Sequence, residues 1–113
     1  MGFLHMLTVN RELNQGVSGV LNKFHRLEDL INGYRGVDDR NFNEVNTLIS
    51  SISRDVFEMT QRVERLGYAE QASLLLTWTN GRKYSWMEWN AYACMCVQQA
   101  KMFVNQYEPG YYK

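Results

Sequence analysis

Two heptad repeats constrain the fold of this chain more than any other feature of its sequence. Apolar side chains recur in alternating steps of four and three residues, first between residues 10 and 34 and again between 41 and 66. The first series is Leu13, Val17, Val20, Phe24, Leu27, Ile31 and Tyr34, and the second is Val45, Ile49, Ile52, Val56, Met59, Val63 and Leu66. This spacing lines one stripe of an α-helix and is typical of helices that pack at a shallow angle. We therefore expect two long helices, over 10–34 and 41–66, packed antiparallel.

Helix-start patterns support the second of these helices and predict another near the C-terminus. Asn41 precedes the second heptad series, and Glu44 follows three residues later, which is the spacing of a capping box. Ser85 and Glu88 repeat that spacing at the start of an apolar, aromatic-rich stretch. We expect this stretch to form a helix over 85–107.

A shorter segment between these helices is ambiguous. Residues 68–79 carry alanines and leucines at helical spacing, and Asn80-Gly81 follows them. An Asn-Gly pair also favours a β-hairpin, but the strands beside it would need alternating apolar and polar residues. Residues 68–79 do not alternate well, so the sequence favours a short helix here and no sheet.

These elements predict one all-α domain over residues 1–113, a compact four-helix bundle-like fold. It would contain two long heptad helices, one short helix and an aromatic-rich C-terminal helix. A length of 113 residues suits a single domain, and one proline leaves nearly all of the chain free to be helical. The ends, 1–9 and 108–113, are expected to be flexible or to form an interface.

No motif in the sequence supports catalysis, a metal or a cofactor. His25, Glu28 and Asp29 share a helix face, but a metal site in a helical bundle would need further inward histidines and carboxylates that the chain lacks. Cys94 and Cys96 point to different sides of a helix and have no basic partner beside them in sequence, so they are expected to be structural thiols. Phosphate-binding glycine loops and the motifs of serine hydrolases and zinc proteases are absent. The sequence therefore predicts a protein that is not an enzyme.

Charge and hydropathy narrow the classes of partner. Twelve Lys and Arg balance twelve Asp and Glu, so the chain lacks the basic excess of a typical nucleic-acid binder. Its longest uncharged run, residues 89–100, is shorter than the ~20 residues that cross a bilayer. Two cysteines in a Cys-x-Cys pattern and no secretory signal favour a soluble, cytoplasmic protein with reduced thiols.

One region is unusually rich in aromatic residues. Residues 78–112 hold nine of the fifteen aromatics, and two adjacent cations lie among them. Aromatic side chains with arginine are typical of protein-interaction hot spots and also of surfaces that stack single-stranded bases. The simpler alternative is that Trp86 and Trp89 only plug one end of the bundle. The candidate interaction surface comprises Trp78, Arg82, Lys83, Tyr84, Tyr111 and Tyr112.

The leading hypothesis is a non-catalytic helical module that binds another protein as an adaptor, inhibitor or assembly subunit. A homodimer is also expected, since heptad faces can continue their packing across a two-fold axis. The alternative is a small nucleic-acid-binding regulator that uses the Arg82-Lys83-Tyr84 turn, which the balanced charge disfavours.

Overall fold

Four helices and one two-stranded hairpin make up the part of the chain that the computed structural model describes, residues 3–33 and 35–113. Side chains are described from residue 8 onward, except at position 34. In chain order the elements are α1 (Phe3–Gly33), α2 (Phe42–Glu64), α3 (Tyr68–Ser73), β1 (Leu75–Thr77), β2 (Lys83–Ser85) and α4 (Trp86–Tyr107). The chain is mostly helical, which agrees with the all-α expectation in its broad form.

The antiparallel pair predicted from the heptads is confirmed. The second heptad series is buried throughout, and so is the first from Leu13 to Ile31; its last member, Tyr34, lies outside the described residues. Ion pairs cross the outer edges of the pair in reversed order along the chain, namely Glu12–Arg62, Lys23–Asp55 and Arg26–Glu44. Helix α1 begins seven residues before the expected position 10, because nothing between residues 3 and 9 breaks a helix.

The predicted role of Asn41 as a side-chain cap is wrong. Asn41 is the N-cap residue of α2, but its side chain makes no capping hydrogen bond and is buried instead. Its Nδ2 donates to the carbonyl oxygens of Leu30 at 3.2 Å and Gly36 at 2.9 Å, and its Oδ1 accepts from the Asp38 amide at 2.9 Å. Asn41 therefore ties the α1–α2 loop to the end of α1.

The helix predicted over 68–79, and with it the absence of a sheet, is wrong. Helix α3 covers only the first six of these residues, and Leu75–Thr77 pairs antiparallel with Lys83–Ser85. Leu74 and Leu76 are fully buried while Leu75 between them is 52% exposed, so burial alternates although the three residues are identical. The turn closes with Gly81 at φ +80°, a conformation that glycine adopts without strain.

Helix α4 begins where its capping box predicts. The Ser85 hydroxyl accepts from the Glu88 amide at 3.4 Å and donates to the Glu88 carboxylate at 3.0 Å. The helix runs antiparallel to α2, because Tyr107 and Tyr112 near its C-terminal end contact the first residues of α2. Helices α1 and α4 are therefore parallel to each other.

The four-helix bundle detail is not confirmed. Helices α1 and α4 both pack along α2 but touch each other little, and the hairpin lies between them at one end. Leu74 and Leu76 fill that end, together with Trp89, whose indole Nε1 donates to the Thr77 carbonyl oxygen at 2.9 Å. In a four-helix bundle a fourth long helix would lie between α1 and α4. The hairpin occupies only one end of that position, so the space between α1 and α4 beyond the hairpin stays open.

Candidate functional site

An apolar groove lies between α1 and α4 beyond the end of the hairpin; we call it the α1–α4 groove. Its volume is about 280 Å³. The apolar walls come from Phe24, Leu27 and Ile31 of α1, from Cys96, Ala100 and Phe103 of α4, and from Trp78, which closes the end nearest the hairpin. Phe103 is 39% exposed, so the groove opens to solvent on the α4 side.

The groove exists because the apolar faces of α1 and α4 both pack against α2 rather than against each other. The α1 residues in its wall belong to the heptad series that packs against α2, and Ala100 belongs to the buried face of α4. Ala100 and Cys96 are small, so their side chains do not span the gap to α1. The lining is thus core-like in composition while one side faces water.

The rim of the α1–α4 groove is polar and carries one charge. Glu28, Asn32, Thr79 and Gln99 line it. Within the described part of the chain Glu28 forms no ion pair, whereas Lys23 and Arg26 of the same helix both pair with carboxylates of α2. Helix α4 offers no charge between residues 89 and 100. The rim is therefore weakly acidic.

The two cysteines lie in different environments. Cys96 is half-buried in the groove wall, and burial raises the pKa of its thiol, with the Glu28 carboxylate adding to the rise. Cys94 is exposed on the outer side of α4. Both are free thiols. A raised pKa favours the protonated form of the Cys96 thiol, which suits a wall residue rather than a nucleophile.

Four residues of the candidate surface lie on the hairpin beside the groove. Trp78 is half-buried, whereas Arg82 and Lys83 are exposed and form no ion pairs with other described residues. The Arg82 guanidinium lies 5.8 Å from the centre of the Tyr84 ring, and the Asn80 amide donates to the Tyr84 hydroxyl at 3.1 Å. The structure therefore brings these four residues together at one end of the molecule.

Trp78 links the hairpin to the groove and to the core. Its ring centre lies 5.7 Å from that of Phe24 in α1 and 5.8 Å from those of Trp89 and Tyr92 in α4. Tyr84 in turn meets Tyr92 edge-on at 5.0 Å. Edge-on and tilted ring pairs at these distances are favourable, so the aromatic side chains pack into one cluster.

The geometry favours the simpler interpretation of Trp86 and Trp89, in which they only plug one end of the bundle. Trp89 is fully buried, Trp86 is nearly so, and their rings stack at 5.9 Å. They close the core at the hairpin end and offer little surface to a partner.

Tyr111 and Tyr112 lie elsewhere, at the opposite end of α4. The Tyr112 hydroxyl donates to Asn46 Oδ1 at 2.6 Å, and its backbone exchanges two hydrogen bonds with the Asn105 amide group. Tyr111 meets the Phe42 ring edge-on at 5.2 Å. Residues 108–113 therefore fold back onto α2 and α4. Helix α4 has 22 residues and is about 33 Å long, so these tyrosines and the hairpin form two separate surfaces.

The sequence does not predict the α1–α4 groove, although one of its features points to it. Cys96 and Phe103 lie beside the buried seam of α4, which makes this helix more apolar than one neighbour can cover. The α1 wall of the groove cannot be predicted in this way. Phe24, Leu27 and Ile31 belong to the first heptad series, and packing against α2 already accounts for their apolar character.

The cluster of His25, Glu28 and Asp29 is exposed on α1. Among the residues with described side chains, no three His, Cys, Asp or Glu come together in a way that would hold a metal ion. No helix in the described part of the chain combines the length and the apolar character needed to cross a membrane. Compared with known proteins, the chain matches no family model, no curated protein and no solved structure.

Proposed function

We propose that this chain is a non-catalytic helical module that binds another protein through the α1–α4 groove and the adjoining hairpin. One observation carries the proposal: an open apolar groove of about 280 Å³ whose end wall, Trp78, is also part of the aromatic hairpin. Solvent-facing apolar concavities with convergent aromatic residues are typical of docking sites. An adaptor, an inhibitor or an assembly subunit would each use such a surface.

The hairpin supplies the features that protein partners favour. Tyr84 and Trp78 are held in place by ring contacts on their inner sides, so little side-chain entropy is lost when their outer edges are covered. Arg82 and Lys83 place exposed cations beside these two aromatic side chains. Rigid aromatic residues flanked by arginine are enriched among residues that dominate binding energy.

The non-catalytic and cytoplasmic parts of the proposal rest on sequence patterns. The chain lacks the nucleophile, phosphate-loop and metal-ligand motifs named above. Its two cysteines are free thiols, which suits a reducing compartment.

Nucleic-acid binding remains the alternative, favoured by the two exposed cations and the ring of Tyr84 at the hairpin. The balanced charge of the chain argues against it, because phosphate binding releases counterions and gains most of its affinity from a basic surface. We expect no binding to random oligonucleotides tighter than about 10 μM at physiological salt. Submicromolar, salt-sensitive binding that an Arg82→Ala/Lys83→Ala variant loses would favour the alternative.

Site-specific photocrosslinking in a lysate of the native host tests the proposal. A benzophenone amino acid replaces Tyr84 at the hairpin or, as the control, Phe57, an apolar residue of α2 that is 62% exposed. We expect a discrete protein adduct only from position 84, and its loss on adding excess unmodified protein. Equal labelling from both positions, or none, would contradict the proposal.

Binding of the captured protein is then compared among variants. Tyr84→Ala should weaken it by more than about 1 kcal/mol, and Lys83→Ala by less, because ring burial dominates such interfaces. Trp78→Ala should also weaken it by more than about 1 kcal/mol, with circular dichroism used to check that the hairpin persists.

A second surface supports self-association. The outer side of α4 exposes three methionines, Met87 at 81%, Met95 at 58% and Met102 at 61%. The heptad faces of α1 and α2 pack mainly against each other, so we do not place a dimer contact between them and a second copy. We therefore place the proposed homodimer contact on the outer side of α4.

A further inference from the structure

We propose that the occupant of the α1–α4 groove is an amphipathic α-helix of a partner protein, with two apolar anchors about one turn apart and a lysine or arginine beside Glu28. This inference rests on the proposed protein-binding function and names the chemistry of the partner. Its arguments are the size of the groove, the vacant position in the helix packing and the charge of the rim.

The size of the groove sets the number of anchors. An apolar cavity of roughly 150 Å³ holds one benzene-sized group, so 280 Å³ suits two side chains of leucine or phenylalanine size. The walls run from Phe24 to Ile31 on α1 and from Cys96 to Phe103 on α4, about 10 Å of helix in each case. Two anchors at positions i and i+3 or i+4 of a helix fit within that length.

The packing around the groove favours a helix over an extended segment. Its long walls are the parallel helices α1 and α4, and it continues the position that the hairpin fills at one end. A helix laid there would complete the bundle-like arrangement beyond Trp78. Helices that dock in grooves of this kind present anchors along one face.

The rim sets the charge of the partner. Glu28 is the one charged residue that lines the groove, and among the described residues nothing neutralises it by an ion pair. Lys23 and Arg26, the nearby cations of α1, are held on its α2 side by Asp55 and Glu44. A cation on the flank of the docked helix would pair with Glu28, whereas an acidic flank would be repelled.

The test measures the binding of synthetic helical peptides to the protein of residues 1–113. The probe carries two leucines at i and i+4 and a lysine on the flank, and a matched peptide carries glutamine in place of the lysine. A third peptide has the probe's sequence with a central proline, which prevents a continuous helix. Fluorescence anisotropy of the labelled peptides gives the dissociation constants.

We expect the lysine peptide to bind and the proline peptide not to bind. Glu28→Gln should weaken the lysine peptide about threefold and leave the glutamine peptide unchanged, as expected for one exposed ion pair. Asp29→Asn is the matched control, because Asp29 is the next carboxylate along α1 and does not line the groove. It should change neither constant.

Variants that alter the groove give the second readout. Cys96→Phe should fill the groove and weaken the lysine peptide more than about tenfold, since two buried anchors lose their site. Phe103→Ser, at a partly exposed position, serves if the Cys96 variant unfolds. Bound peptide should also slow alkylation of Cys96 but not of Cys94, which lies on the outer side of the same helix.

Binding of the proline peptide as tight as that of the probe, or unchanged binding to Cys96→Phe and Phe103→Ser, would overturn the inference. An equal response of both flank peptides to Glu28→Gln would overturn its charge requirement. If a host protein is crosslinked from position 84 despite these results, the proposed function stands and only the helical occupant of the groove is wrong. If neither peptide binding nor a crosslinked protein is found, both the inference and the proposed function are wrong.

Discussion

At the scale of single residues, the buried side chain of Asn41 ties the α1–α2 loop to the end of α1. Asn41 is 1% exposed and makes three hydrogen bonds to backbone groups of the loop and of α1. Nothing local in the sequence distinguishes this asparagine from an ordinary helix cap. Its role depends on the loop folding over it, so only the tertiary structure reveals it.

Replacement of Asn41 by alanine should lower the free energy of unfolding by about 1–3 kcal/mol, because two carbonyl groups and one amide lose their partner inside the protein. Asn43→Ala is the control, at an exposed position two residues later. Denaturant unfolding followed by circular dichroism measures both. Equal effects of the two changes would contradict the role assigned to Asn41.

Glu44 links the stability of the helix pair to pH. Hydrogen bonds from the Arg26 guanidinium, at 2.7 Å and 3.0 Å, hold the pKa of the Glu44 carboxyl below its ordinary value, although burial acts in the opposite direction. At Asp38 burial raises the pKa of the carboxyl. Hydrogen bonds from the backbone amides of Arg40 and Asn41 and from the Arg40 side chain lower it by more in total, so the net shift is downward. A lowered pKa in the folded state stabilises the protein above the carboxyl's unfolded pKa, and this contribution is lost as the pH falls through the folded value.

The Glu44→Gln variant should therefore be less stable than the original protein near neutral pH. The difference should shrink as the pH falls below the unfolded pKa of the carboxyl and through its lowered folded value, because the carboxyl then becomes neutral in both states. Unfolding midpoints measured across this range test it. Glu58→Gln, an exposed position of the same helix without an ion pair among the described residues, should show no such convergence.

At the scale of elements, Ser85 shows why the sequence identified α4 and missed the strand before it. Ser85 ends β2 and caps α4, with its hydroxyl on the Glu88 amide. The cap is a local pattern that the sequence displays directly. The strand pairs Leu75, Leu76 and Thr77 with residues six to ten positions away in sequence, and three consecutive leucines hide its alternation.

Two substitutions compare the cap with the core. Ser85→Ala should destabilise by about 1 kcal/mol through loss of the cap. Ile52→Ala should cost about 2–4 kcal/mol, because Ile52 is fully buried in the seam between α1 and α2. Denaturant midpoints measure both changes, and a neutral Ile52→Ala would be incompatible with the observed register.

At the scale of the whole molecule, three long helices share one core, and the outer side of α4 exposes three methionines. The molecule measures 50 × 27 × 18 Å, with α2 packed against both other long helices. The methionines on the outer side of α4 find no cover within the described chain. Burial of a methionine side chain gains roughly 1.5–3 kcal/mol, and this gain is what the proposed dimer contact would use against the cost of association.

Sedimentation equilibrium at micromolar concentration should therefore show a dimer of twice the 13.3 kDa chain mass. Met95→Glu should shift it towards the monomer, since a charge would enter the contact. Phe57→Glu, the same change at an exposed apolar position of α2, should leave the dimer intact. A single 13.3 kDa species for the original protein would remove the homodimer from the proposal.

The sequence by itself determined the elements whose signals are local or strictly periodic. The α1–α2 pair follows from the heptads, and the start of α4 follows from Ser85 and Glu88, because side chains three or four residues apart meet on one helix regardless of the rest of the chain. The hairpin, the buried role of Asn41 and the α1–α4 groove were decided by tertiary structure. Each depends on how separate segments pack: β1 lies between α1 and α4, Asn41 is covered by the loop before it and the end of α1, and the groove opens because both helices pack on α2 rather than on each other. Spacing along one segment carries no information about which neighbour covers it, so the site became visible only once the helices were assembled.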